Sequence, residues 1–179
     1  MSDCVTNCEV LPCSRLDLRM LAQEFRRKIN LKSPFLDIIG LLDLLPSLFP
    51  GKNIAYDIID DITWDRYLNK NAHASYDLEE KIIYIRESIF ERACQGKGRD
   101  RFTIAHEIAH AMLLEKAKIN FNRSSSNKIP SYKDPEWQAN CLAGELLIPY
   151  EMCKNMSVDE IVKNCGVSYQ AARYQKNHF

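Results

Sequence analysis

Arg101–Leu114 reads RFTIAHEIAHAMLL, and within it lies His106-Glu107-Ile108-Ala109-His110. On a helix, residues four apart share one face a single turn apart, so His106 and His110 aim their imidazoles at a common point. Two neutral ring nitrogens at that separation suit Zn²⁺, which favours nitrogen and sulfur donors in a tetrahedral shell. Glu107, next along the helix, is placed to touch a water at the metal rather than the metal itself. This is the H-E-x-x-H pattern with its general base built in. The bland alternative, two histidines that only pack, fits a lone histidine better than a pair flanked by Ala105, Ala109 and Ala111.

Two histidines leave the shell short of a third protein ligand. The longer pattern that ends in a glycine and a third histidine fails, because Leu113 and Lys116 occupy those places. His73 and His178 lie outside any helix that returns to the site. Asp134–Pro149 (DPEWQANCLAGELLIP) is the better source. Asp134 reads as an N-cap, Pro135 as the first helical residue and Pro149 as the stop. Small residues at Ala139, Ala143 and Gly144 let this helix lie close to Ala105 and Ala109, bringing Glu136 to the metal as an oxygen ligand. Asn140, one turn on, is suited to hold a ligating histidine by its outer N–H. Cys141 and Glu145 point off that stripe and rank lower as ligands. The competing role for Glu136 is a carboxylate that only stabilises a helix N-terminus.

Outward from these two segments, the chain reads as one ordinary domain. It has 179 residues, 46% hydrophobic and 27% charged, which argues against a disordered, collagen-like or coiled-coil chain. Lys+Arg equals Asp+Glu at 24 each, so the basic surplus of most nucleic-acid wrappers is missing. The start, MSDCVTNCEVLPC, lacks a secretory pattern. Phe35–Phe49 is broken by Asp37, Asp43 and Pro46, so a cytoplasmic protein without membrane contact is expected. Seven cysteines at irregular spacing imply no disulfide framework, and Cys4, Cys8 and Cys13 read as reduced, unligated thiols.

The expected fold class is α+β. Residues 1–15 read as an N-terminal arm, 16–150 as a minimal zinc peptidase domain and 151–179 as a packing subdomain. Leu18, Leu21, Ala22, Phe25 and Ile29 mark an amphipathic helix. Ser33-Pro34 predicts the start of a second, running to about Leu45. Between residues 54 and 86, β-branched and aromatic runs predict a small, mostly antiparallel sheet. Its strand Ile82–Ile85, if an edge, could seat an extended substrate by strand addition. The H-E-x-x-H helix and the helix bearing Glu136 then pack together. In the tail, Ser157 and Glu160 form a capping box, and helix, Gly166 turn and helix resemble a helix-turn-helix. Its charges sum to only +1 over residues 157–179, thin for a DNA reader, so a nucleic-acid partner is not favoured.

FTIAHEIAHAML followed by EWQANCLAGELLIP resembles the ImmA/IrrE family of zinc metallopeptidases, gluzincin-like in the active core. Leu142 stands where the family pattern has Phe, and Ile148 where it has Met. The resemblance is firm over residues 100–150. It implies a cytosolic protein of the kind found in bacteria, phages and mobile elements, with Zn²⁺ held by His106, His110 and Glu136 and with Glu107 catalytic. It also implies a protein substrate, typically a helix-turn-helix repressor encoded nearby. Tyr132, Tyr150 and Arg173 are the candidates for stabilising the oxyanion. The rival reading is a zinc-containing module that acts on a repressor or DNA without proteolysis.

Overall fold

The computed structural model describes residues 8–68, 72–116, 122–123 and 129–179. Helix α1 (Arg15–Lys28) starts at a capping box, in which the Ser14 hydroxyl accepts from Asp17 N–H and the Asp17 carboxylate accepts from Ser14 N–H. It buries Leu18, Ala22 and Phe25. Helix α2 (Ile38–Leu48) begins four residues later than Pro34 and runs past Leu45. The Ser33 hydroxyl accepts only from Phe35 N–H in a local turn, and Asp37 takes the capping role by accepting from Gly40 N–H at 3.1 Å. Burial of Ile38, Leu41, Leu42 and Leu45 carries the last turn through Pro46 against its local preference.

Strand β2 (Ala55–Ile59) leads into α3 (Asp61–Tyr67), a short helix capped by Asp60 and anchored by the fully buried Trp64. Strands β3 (Ala74–Asp77) and β4 (Ile82–Arg86) follow, joined by a turn in which Asp77 accepts from Glu79 and Glu80 N–H and Lys81 adopts positive φ. The sheet order is β2-β4-β3. β4 pairs antiparallel with β3, Ala74 opposite Ile85, but parallel with β2, Ala55 opposite Ile82. The sheet is therefore mixed, not mostly antiparallel, because β4 inserts between β2 and β3 and runs in the direction of β2. Ile82–Ile85 is its central strand and cannot receive a substrate at its edge. β3 is the edge strand beside the helices. Cys8–Glu9 (β1) pairs antiparallel with Asn122–Arg123 (β5).

Helix α4 (Glu87–Cys94) follows β4, and α5 (Gly98–Lys116) carries the H-E-x-x-H segment. Helix α6 (Pro135–Leu147) lies against it. Ala105, Ile108 and Ala109 of α5 are fully buried, as are Ala139, Leu142, Ala143 and Leu146 of α6. Helices α7 (Tyr150–Cys153), α8 (Val158–Cys165) and α9 (Tyr169–Lys176) complete the chain, the Ser157–Glu160 capping box opening α8. Among the described residues, no helix is long and apolar enough to cross a membrane.

Two buried arginines tie these layers together through carbonyls. Arg101 donates to Gly166 O at 2.9 Å and Leu36 O at 2.7 Å, and Arg26 donates to Leu146 O at 2.6 Å. At the start of α5 the tail comes closer still. A Cβ on Gly98 would lie 2.3 Å from the Val167 carbonyl carbon and 2.4 Å from Ser168 N. Backbone on both sides cannot yield as a flexible side chain would, so Gly98→Ala is expected to cost about 2–3 kcal/mol. Denaturant unfolding measures it, and a wild-type midpoint would contradict the close packing of α5 on the α8–α9 turn.

Candidate metal centre

Helix α5 sets His106 and His110 one above the other, with rings 4.6 Å apart in an edge-on arrangement. Helix α6 supplies Glu136 from its first turn. There the Asp134 carboxylate accepts from Glu136 N–H at 2.9 Å, and Pro135 occupies the position that needs no donor. The cap fixes where α6 starts and so where Glu136 points. His106 Nε2 lies 3.0 Å from His110 Nε2, and each nitrogen lies 3.3 Å from one Glu136 oxygen. A tetrahedral ion with arms of about 2.0–2.1 Å has donor separations of about 3.3–3.4 Å. The triangle fits such an ion, with the His–His side slightly short. Among the described residues, this is the one group of three or more His, Cys, Asp or Glu arranged to hold a metal.

The electrostatics agree with a shared cation site. Hydrogen bonds from His106 and His110 hold the Glu136 carboxyl far below the usual carboxylate range. Burial disfavours a charged His106 imidazole, yet the Glu136 carboxylate, with Glu107 beside it, outweighs burial and raises its pKa. Glu107 is 8% exposed. Burial pushes its carboxyl up, while the two imidazoles and the Tyr76 backbone N–H of β3 pull it back down. The edge strand thus borders the carboxylate expected to move protons.

Asn140 lies one turn beyond Glu136. Its amide nitrogen donates to Glu136 O at 2.9 Å. His106 Nδ1 itself is buried with no hydrogen-bond partner in this structure, so the bond expected from Asn140 is not closed. The fallback ligands lie elsewhere. Glu145 is bound by Arg19 at 3.0 Å through both oxygens, and the Cys141 thiol is pushed up to about 11 by burial. His178 bonds through Nδ1 to Tyr174 O, and His73 precedes β3.

Of the oxyanion candidates, Tyr132 lies at the same end of α6 as Glu136, whereas Tyr150 follows its far end, a helix length of about 20 Å away. Tyr150 is occupied instead by the Arg19 guanidinium, 4.2 Å above its ring. Arg173 is exposed on α9, with no bond to the triad. Two elements near the site went unread in the sequence. The backbone N–H of Tyr76 carries no side-chain signature. Buried Gln138 donates to both Leu11 O and Tyr132 O at 2.8 Å, and so pins residues 10–13 beside the start of α6.

The IrrE N-terminal-like domain, a peptidase family, matches residues 64–176. The chain belongs to this family. The match spans the sheet's β3–β4 hairpin, helices α5 and α6 and the tail, and it marks the chain as related to metallopeptidases. Eight solved chains also match. One is a Mycobacterium tuberculosis transcriptional regulator with TM-score 0.55 and 17% identity, covering 88% of this chain. That likeness shows the fold, and this chain spans 45% of the regulator's length. No curated protein matches the sequence.

His106→Ala or His110→Ala is expected to abolish stoichiometric Zn²⁺ uptake, read by elemental analysis after dialysis. Glu136→Gln keeps the size of the side chain, removes its charge and should weaken uptake without unfolding the protein. One full equivalent of zinc in either histidine variant would remove the pair from the site.

Proposed function

We propose that this protein is a zinc-dependent endopeptidase that cuts a regulatory protein, such as a helix-turn-helix repressor. The observation that carries the reading is the meeting of His106, His110 and Glu136 within 3.3 Å, with the buried carboxylate of Glu107 on the same helix. Bound Zn²⁺ supplies a Lewis acid for the scissile carbonyl and acidifies water. Two imidazoles and one carboxylate would hold it, leaving room for the fourth position an open catalytic site needs.

Glu107 serves as general base. Its carboxylate takes a proton from the attacking water as the remaining oxygen bonds to the carbonyl carbon, then returns that proton to the amine as the C–N bond breaks. Low exposure keeps the carboxyl basic enough for this shuttle, and the Tyr76 N–H orients it. The outer edge of β3 is the surface suited to an extended peptide, since no described strand pairs with it and its backbone already meets Glu107. Asn140 would steady His106, and Tyr132 is placed best to meet the oxyanion.

The second reading is a metal-containing regulatory module that binds a repressor or DNA without cutting it. The likeness to a transcriptional regulator favours it, while the thin positive charge of the tail counts against direct DNA reading. Glu107→Gln separates the two. The endopeptidase keeps its zinc and loses at least about 100-fold in turnover, the scale set by losing a general base. A variant that keeps its biological activity in the cell while binding zinc would reject the endopeptidase.

A further inference from the structure

The groove between α5 and α6 continues past the metal centre. Arg99, Thr103, His106 and His110 recur at spacings of four and three along α5, and Glu136, Asn140 and Gly144 recur at four along α6. Beyond Thr103 and Asn140 the groove opens into a cavity of about 500 Å³, walled on another side by α9. That volume is within the roughly 300–1,000 Å³ of small-molecule sites.

Its walls combine flat apolar surface with unspent donors. Phe102, Trp137 and Tyr174 supply the rings. Among the described residues no carboxylate lines the cavity, whereas two guanidiniums do, those of Arg15 and Arg99. Arg15 has Glu145 at 3.7 Å, but Arg19 also holds that carboxylate with two bonds of 3.0 Å, so two guanidiniums share one negative charge and a net positive charge remains. Arg99 is exposed and makes no ion pair among the described residues. Gln175 is 2% exposed, yet its amide nitrogen has no hydrogen-bond partner, a rare condition for a buried donor. Its amide oxygen is 3.4 Å from Arg15, which places two donor groups side by side at the cavity wall.

We propose that this cavity binds a small carboxylate with a flat apolar body, an aromatic carboxylic acid in chemical class. The ring seats among Phe102, Trp137 and Tyr174, and the carboxylate accepts from Arg15 and Gln175 while Arg99 adds the second positive charge. Nothing in this inference depends on proteolysis, because neither Glu107 nor the triad takes part. Asn140 borders both the cavity and the histidine ligand, so an occupant sits next to the metal centre.

Calorimetric titration of the full chain with 2-naphthoate, and with 2-naphthamide as its neutral counterpart, tests the proposal. The acid should bind saturably and the amide about tenfold more weakly, the scale of a charge-assisted contact. Arg99→Ala should weaken the acid by a similar factor, and Ala171→Trp, which fills the cavity, should abolish binding. Absence of saturable binding overturns the proposal, and so does an amide that binds as tightly as the acid. Wild-type affinity in an Arg99→Ala protein with an unchanged unfolding midpoint overturns it as well.

Discussion

The contact between α5 and α6 governs the molecule. Alanines at 105, 109, 139 and 143, all fully buried, let the two helices approach closely enough for a short glutamate to reach two imidazoles. Packed helices ordinarily sit about 8–10 Å apart, the distance set by the side chains between them. Larger residues on this seam would move the Glu136 oxygens out of the 3.3 Å range while leaving both helices intact. The triad is thus a readout of helix spacing. Its chemistry depends on residues that carry no functional group.

Several other contacts hold α6 so that this spacing keeps its value. At its start, Asp134 caps the helix and Gln138 bonds to the backbone of the N-terminal stretch. At its end, Arg26 takes the Leu146 carbonyl, and Arg19 grips the almost fully buried Glu145. A buried ion pair is not by itself strong evidence of stability, but removing one partner leaves a buried charge and is severe. Arg19 and Glu145 therefore specify how α1 sits on α6 more than they stabilise it.

Much of this arrangement was legible from local chemistry. The caps at Asp134 and Ser157 each depend on one or two hydrogen bonds within three residues, and both form as the sequence suggests. The meeting of His106, His110 and Glu136 could be anticipated because the ligand spacing and the small-residue seam are both periodic. Errors came where distant packing decides. The choice of Asp37 over Ser33 as a cap follows from which leucines find the core, and α3, which has no clear local signature, carries the fully buried Trp64. Strand order has no local signature either, so the parallel partner of β4 could not be read from its composition. The unpartnered Nδ1 of His106 lay equally beyond sequence reading, since its surroundings come from two helices at once.

The mixed sheet also sets an order of assembly. The β3–β4 hairpin closes across residues 78–81, whereas β2 joins β4 only after residues 60–81 have been looped out. Chain entropy makes the longer closure costlier by about 1.5 kcal/mol on a logarithmic scale of loop length. The hairpin should therefore nucleate first and β2 should dock late. The outer edge of β3, with the Tyr76 N–H that faces Glu107, belongs to the most local and earliest piece of the sheet. Folding would then complete the sheet on the side away from the His106–His110–Glu136 triad, and fraying of β2 would leave the edge beside Glu107 in place.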